Sequence, residues 1–463
     1  MKNIALLGIL FLLVSCTQKN PSTDDSSQKK QPNFIIILAD DLGYADLGCF
    51  NGAIGYSTPN LDKMATNGLK LTSLYSASPV CSPSRAGLLT GREPLRHGMA
   101  YVFFPTSWTG MSPDEVTLAE VLQQEGYHTG IVGKWHLGHH YKYLPLQQGF
   151  DEYFGIPYSN DMNGVVYMDG NDVVEENVDQ RLITKTYTKK ALEFIEKNQD
   201  EPFFLYLPHS MPHLPIYASE NFEGKTERGL YGDVIEELDW SAGQILKKLE
   251  DLQIDDNTIV FFSSDNGPWL AFGPEAGSAD PLREGKQYTF EGGMRVPGII
   301  QWKGTIEAGS THNGMLSFLD IMPTFTQLAG ASIPNDRDYD GVDVTNILMG
   351  EGERSHDEIL FSMNNEFRAF RKGDWKIKLP YPGNPVSSWK KAVAAHDTLL
   401  FNLQTDVEEQ NDLSQFNRKK LSEMTQAMQS AIDQLGDLPP PLVVRPPADQ
   451  SFVKRNKKRL GLD

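Results

Sequence analysis

Asn33-Phe34-Ile35-Ile36-Ile37-Leu38-Ala39-Asp40-Asp41 reads as one buried strand closed by two carboxylates. Its apolar run does not alternate with polar residues, which is the pattern of a strand covered on both faces in a parallel sheet. In open α/β sheets the ligand crevice lies beyond the carboxyl ends of such strands. Asp40 and Asp41 therefore fall where a site is expected, although Asp40-Asp41-Leu42-Gly43 on its own is more often a turn.

Outward from this segment, strands and helices alternate. Thr129 to Gly133, Pro202 to Leu207, Thr258 to Ser263 and Val296 to Trp302 are predicted strands. Pro59 to Gly68, Asp114 to Gly126, Lys185 to Lys197, Arg228 to Leu252 and Phe318 to Leu328 are predicted helices, with apolar residues at helical spacing. After about Asp343 come short strands at Ile359 to Met363, Phe367 to Arg371, Trp375 to Leu379 and Leu399 to Asn402, then a helix over Leu421 to Leu435. The expected fold is α/β: a large, mostly parallel sheet flanked by helices over residues 33–343, and a smaller antiparallel sheet with a helix over 344–463. The tail, with Pro439-Pro440-Pro441 and a basic end, is expected to wrap the surface.

Polar motifs close other strands in the same way. Lys134-Trp135-His136 follows Ile131 to Gly133, His209 and His213 follow Phe203 to Leu207, and Asp265-Asn266 follows Ile259 to Ser264. Clusters on one sheet edge can converge on one pocket. Asp40, Asp41, Asp265 and Asn266 offer hard oxygen donors, which suit Ca²⁺ or Mg²⁺ rather than zinc. Arg85, Lys134 and Lys286 would supply positive charge to an anionic ligand. His136 and His213 are candidates for proton transfer, since imidazole titrates near working pH.

The run Cys81-Ser82-Pro83-Ser84-Arg85-Ala86-Gly87-Leu88-Leu89-Thr90-Gly91-Arg92 places a cysteine at a helix start. Pro83 suits the first turn and Gly91 the stop. A nucleophile there sits at the positive end of a helix beside Arg85, which suits a reaction on an anion. An isolated Cys-X-Pro-X-Arg would more simply be a buried cysteine on a capped helix.

The full run resembles the signature of the type I sulfatases, Cys-X-Pro-Ser-Arg followed by a spacer and Leu-Thr-Gly-Arg. Asp40-Asp41, Gly-Lys-Trp-His-Leu-Gly at 133–138, Pro-His-Leu-Pro at 212–215, Asp-Asn-Gly at 265–267 and Gly-Lys followed by Glu-Gly-Gly at 285–293 resemble that family's motifs in its order. The similarity runs from about Pro32 to Leu399–Leu413 and is most like the arylsulfatase A and N-acetylgalactosamine-6-sulfatase branch. Gly155-Ile156-Pro157-Tyr158-Ser159 and Asp320-Ile321-Met322-Pro323-Thr324 add to it. The resemblance implies an alkaline-phosphatase-like fold and hydrolysis of sulfate esters. It implies that Cys81 is oxidised to Cα-formylglycine by a maturation enzyme and that Asp40, Asp41, Asp265 and Asn266 hold calcium together with the oxidised Cys81. It assigns Arg85 and Lys134 to steadying the formylglycine, His136 to its hydrate, and His213 and Lys286 to the sulfate and its leaving oxygen. His209 lies off the matched histidine and reads as a supporting or substrate-side residue.

The chain has 463 residues, and its formal charge of −19 argues against nucleic acid, which needs a basic footprint. Any cations serving an anionic substrate must be concentrated locally. Met1-Lys2-Asn3 and the apolar run Ile4 to Val14 read as a signal peptide over 1–15. Leu13-Val14-Ser15-Cys16 resembles a bacterial lipobox, and residues 16–32 have the composition of a flexible tether. The expectation is an exported bacterial lipoprotein, lipidated at Cys16 and held at a membrane on a periplasmic or cell-surface face. A plain signal peptide is the alternative. Cys49, the remaining cysteine, reads as a small buried apolar residue.

The expected substrate is a sulfated polysaccharide or its oligosaccharides, of the ulvan, carrageenan or glycosaminoglycan type. Loops Tyr101 to Met111, Tyr158 to Asp172 and Phe272 to Arg283 are candidates for sugar recognition; Tyr101, Phe103, Phe104 and Trp108 either stack on a sugar or pack inside. Two other readings stay open on sequence alone. One is a phosphodiesterase or phosphonate hydrolase of the same superfamily, which usually has histidine among its metal ligands where Asn266 stands here. The other is a catalytically silent glycan-binding lipoprotein.

Overall fold

The computed structural model describes residues 31–51, 55–162, 164–387 and 389–442. The signal peptide, the lipidation at Cys16, nearly all of the tether and the basic end of the tail lie outside the described residues.

β1 (Asn33–Ala39) is central in a sheet that also holds β2 (Leu69–Tyr75), β3 (His128–Lys134), β4 (Glu152–Ile156), β5 (Val166–Asp169), β6 (Asp172–Glu176), β7 (Phe203–Pro208), β8 (Thr258–Ser264), β9 (Arg295–Gln301), β10 (Ser310–His312) and β11 (Leu316–Ser317). The order is β10-β2-β9-β8-β1-β7-β3-β4-β5-β6, with β11 also paired to β2. β8, β1, β7, β3 and β4 run parallel, and β9 joins antiparallel. Strand ends at Ala39, Lys134, Pro208 and Ser264 thus share one edge.

The unbroken apolar run of β1 has the expected cause. Phe34, Ile36 and Leu38 enter a core under α2 (Cys81–Thr90), α3 (Leu118–Gln124) and α6 (Ile321–Leu328). Ile35, Ile37 and Ala39 enter the opposite core under α1 (Pro59–Thr66), α4 (Ile183–Lys197) and α5 (Leu230–Asp251). A period of two sends alternate side chains to opposite faces, and both faces are dry.

Local chemistry shifts some predicted bounds. The helix expected from Asp114 starts at Leu118, because Thr117 and Glu120 close a capping box. Phe318–Asp320 forms a separate tight turn capped by Ser317 before α6.

The small sheet is antiparallel and in chain order: β12 (Glu358–Met363), β13 (Glu366–Lys372), β14 (Trp375–Lys378) and β15 (Leu399–Asn402). Helix α7 (Arg418–Gln434), capped by the Asn417 side chain, lays Met424, Met428 and Ala431 on Phe370, Ile377 and Leu400. The tail is described as far as Leu442, whose N–H donates at 2.9 Å to the carbonyl of Gly98, in the turn that follows Pro94–His97.

Both sheets belong to one compact unit. Glu291, just before β9, is fully buried and accepts from Lys376 of β14 at 2.9 Å; Lys376 also reaches Glu409 at 2.9 Å. Burial opposes the Glu291 charge, but Lys376, Arg371 and Arg295 hold its carboxyl down to about 2.

Glu93 makes a second join, accepting from Ser362 of β12 at 2.9 Å. Burial and the nearby Asp340 carboxylate push Glu93 up to about 8. The folded chain therefore keeps this proton after an unfolded chain, with its glutamate near 4.5, has lost it. Stability from this group is complete below about pH 4.5 and falls as pH rises toward 8. Glu93→Gln should flatten that fall, measured as the difference in unfolding midpoint between the two ends of this range.

Candidate active site

The parallel strand ends bring the separate motifs together. The Asp265 N–H donates to the Ala39 carbonyl at 3.0 Å, and the Asp41 N–H to Asp265 Oδ1 at 3.2 Å. Asp41 and His136 adopt positive φ, 70° and 58°, a costly conformation for non-glycine residues that tends to cluster at functional sites.

Asp40, Asp41 and Asp265 are buried, with one oxygen from each lying within 4.8 Å of the others. Lys134 Nζ bonds Asp40 and, at 3.1 Å, Ser159 Oγ. Arg85 donates from Nε to Asp265 at 2.9 Å and from Nη1 to the Lys134 carbonyl at 2.9 Å. Lys286 Nζ pairs with Asp41 at 2.7 Å. Burial opposes the charge on all three carboxylates. Lys134, Arg85 and Lys286 overcome it at Asp40, which is held well below the usual range. Burial and the Asp40 charge leave Asp41 raised and Asp265 at about 7.

These residues fit a divalent cation. Asp40 Oδ1 and Asn266 Oδ1 are buried without a hydrogen-bond partner beside the other carboxylates. Buried oxygens of this kind want a proton or a metal, and an all-oxygen set suits a hard ion.

Above the cluster lies a cavity of about 350 Å³, lined by Cys81, His136, Ser159, His213 and Lys286 among others. Cys81 is the first residue of α2, and Gly91 ends that helix in the left-handed conformation, as its sequence requires. Burial pushes the Cys81 thiol up to about 11, despite Lys134 and Lys286. It is a poor thiolate nucleophile as it stands. His136 Nε2 lies 2.9 Å from the Phe103 carbonyl, an acceptor, so Nε2 carries the proton and Nδ1 is bare and unpartnered. His213 Nδ1 donates to the Leu214 carbonyl at 2.7 Å, leaving Nε2 3.7 Å from Asp41. Burial, with Lys134 for His136 and Lys286 for His213, holds both imidazoles neutral.

A sulfatase family model matches residues 32–331, and a model of the N-sulphoglucosamine sulphohydrolase C-terminal region matches 284–437. The chain belongs to the sulfatase family. It is 38% identical to dog arylsulfatase G over 88% of this chain and 84% of that one. It is 42% identical to dog N-acetylgalactosamine-6-sulfatase over 74% and 71%. The crystal structure of Ps i-CgsB in complex with k-i-k-neocarrahexaose superposes with a TM-score of 0.78 at 29% identity, over 94% of this chain and 98% of that one. The protein is thus a sulfuric ester hydrolase of alkaline-phosphatase-like fold, in a family that works through formylglycine and a divalent metal.

In this sulfatase the sequence-predicted residues divide into two layers. Asp40, Asp41, Arg85, Lys134, Asp265 and Asn266 form the buried layer; Cys81, His136, His213 and Lys286 face the cavity. His209 faces neither. Its Nε2 meets Ser241 of α5 at 3.2 Å and its ring packs near Tyr187, so it belongs to the helix-covered core rather than to the substrate side. Cys49 is half-buried, not buried.

Sequence reasoning missed part of the sulfatase's cavity wall. Trp269 packs on His213 and lies 4.5 Å under the Lys286 ammonium, and its indole N–H donates to the Trp389 carbonyl at 2.8 Å. Gln287, Met363, Asn364, Trp389 and Lys390 also line the cavity. Residues from the loops at Tyr101–Met111 and Tyr158–Asp172 are there too, but none from Phe272–Arg283. Tyr101 and Phe104 reach the cavity, Phe103 is buried, and Trp108 is exposed. The adjacency of Gln287 to Lys286 was a usable signal; nothing local marked Trp389.

Proposed function

We propose that this sulfatase removes sulfate from sulfated polysaccharides or their oligosaccharides, with Cys81 converted to formylglycine and Ca²⁺ held by Asp40, Asp41, Asp265 and Asn266. The observation that carries the substrate reading is the cavity itself. Tyr101, Phe104, Trp269 and Trp389 give it aromatic walls, and Lys286 brings an ammonium to the same space, which suits an anionic sugar. The neocarrahexaose bound to the similar structure supports the same substrate class. A panel of sulfated oligosaccharides, with matching phosphate esters, tests it. Faster turnover of the phosphate esters, or of no sugar at all, would overturn the reading.

Hydrated formylglycine would supply an oxygen nucleophile with a built-in route for sulfate release, and Ca²⁺ would offset charge on the sulfuryl oxygens. The other roles fall to residues already charged or tautomerically fixed. Lys286 is an ammonium facing the cavity and binds the anionic ester. The bare Nδ1 of His136 accepts a proton. His213 presents an unprotonated Nε2, which leaves Lys286, kept as an ammonium against burial by Asp41, as the protonated group beside it. Lys286→Met should then lower turnover of alkyl sugar sulfates about 10²–10⁴-fold and of an aryl sulfate, with its good leaving group, much less. His213→Ala should lower both alike. The reverse pattern would give the acid role to His213.

The same reading includes lipidation at Cys16 after export, with a formylglycine-generating enzyme acting on the chain before it folds. No helix of the described residues is long and apolar enough to cross a membrane. Cys16→Ser should move the protein from the membrane fraction to the soluble one; unchanged membrane association would leave the plain signal-peptide alternative.

A further inference from the structure

A smaller cavity of about 50 Å³ adjoins the catalytic one, and Gln287, Met363, Asn364 and Lys390 line both. One water needs about 10–15 Å³ of such space, so there is room for a group of several atoms. The charge pattern of this side cavity is unlike that of the protein. The chain is acidic by 19 charges, yet Arg368, Lys378 and Lys390 line the cavity and no described lining residue is Asp or Glu. Arg368 pairs outward with the surface residue Glu366. Lys378 is buried and donates to the neutral Thr289 hydroxyl at 2.6 Å. Half-buried Lys390 has no ion-pair partner among the described residues.

We propose that this side cavity is a second anion site, which holds a carboxylate or a further sulfate on the sugar neighbouring the sulfate being removed. The inference rests on the glycan-sulfatase reading above and narrows its substrate to polyanionic sugars. A buried cation without a matched anion is costly, and an incoming anion would offset that cost. Burial together with Lys376 brings Lys378 down to about 7, against the pull of Glu409. Burial also lowers Lys390. Both ammonium groups therefore gain from an incoming anion. Gln287 Oε1, buried and unpartnered where the cavities meet, would accept a hydroxyl of the same sugar.

The test uses matured enzyme and four substrates: 4-nitrophenyl sulfate, a monosulfated hexosamine linked to a neutral sugar, the same hexosamine linked to a hexuronate, and the same disaccharide with a second sulfate instead of the carboxylate. Wild-type kcat/KM should be at least about tenfold higher for one or both dianionic disaccharides than for the neutral-neighbour one, and which of the two leads identifies the anion. Lys390→Gln should cut that preference about tenfold or more, bringing it close to one, within the range of a charge-assisted hydrogen bond. Lys390→Arg should keep it. Equal wild-type turnover of all three disaccharides, or a preference that survives Lys390→Gln and Arg368→Gln, overturns the second site. Turnover of 4-nitrophenyl sulfate with none of any disaccharide would instead overturn the glycan reading itself.

Discussion

Cys81→Ala should abolish sulfate ester turnover, with a loss of about 10⁴-fold or more, the scale seen when a covalent nucleophile is deleted. The substitution removes one small buried side chain at a helix start, so the fold should persist and the loss should appear in kcat. Peptide mass spectrometry on active wild-type protein should show an aldehyde in place of the thiol at position 81. The unmodified thiol, held near 11 by burial, is protonated at neutral pH, so material from a host without a maturation enzyme should be almost inactive. Full activity with only thiol at that position would overturn the formylglycine assignment.

Asp265→Ala should cost metal, turnover and stability together. Arg85 is fully buried and directs both its Nε and a terminal nitrogen at Asp265, with Asp40 3.5 Å away as its other carboxylate. Deleting one partner of such a pair strands the other charge, at a cost of about 3–5 kcal/mol. Asp265→Asn keeps the shape and should recover part of the stability but not the metal. Elemental analysis and thermal unfolding on the two variants separate these effects. Stoichiometric zinc in the wild-type protein, with no calcium or magnesium requirement, would overturn the proposed ion.

The parts of the fold legible in the sequence were those governed by local physics. β1 and β8 are buried on both faces, so their apolar runs are unbroken and their closing carboxylates stand out. The helix at Cys81 carried its own start and stop. β2 was not legible, because Lys70 and Thr72 interrupt its apolar residues and only Asn67 and Gly68 part Leu69 from a helix. β4, β5 and β6 are short, and β6 is exposed throughout. His209 follows the same strand as His213, but only tertiary structure sends it to Ser241. Trp389 and Lys390 lie in a stretch held by isolated bridges, such as Ser387 with Lys390, and have no periodicity to read. Their place in the cavity depends on how the small sheet docks.

That docking also sets an order on biosynthesis. Glu291 is made 85 residues before Lys376 and 118 before Glu409. While the chain is being synthesised, the segment running from Lys286 to Glu291 has its earlier partners, such as Asp41, Pro79 and Tyr75, but neither of these later ones. Cys81 is almost completely buried in the finished protein and closed to any modifying enzyme. If Cys81 is oxidised as proposed, the oxidation therefore has to come before the chain closes over it, and the late arrival of the last strands lengthens the time in which it can.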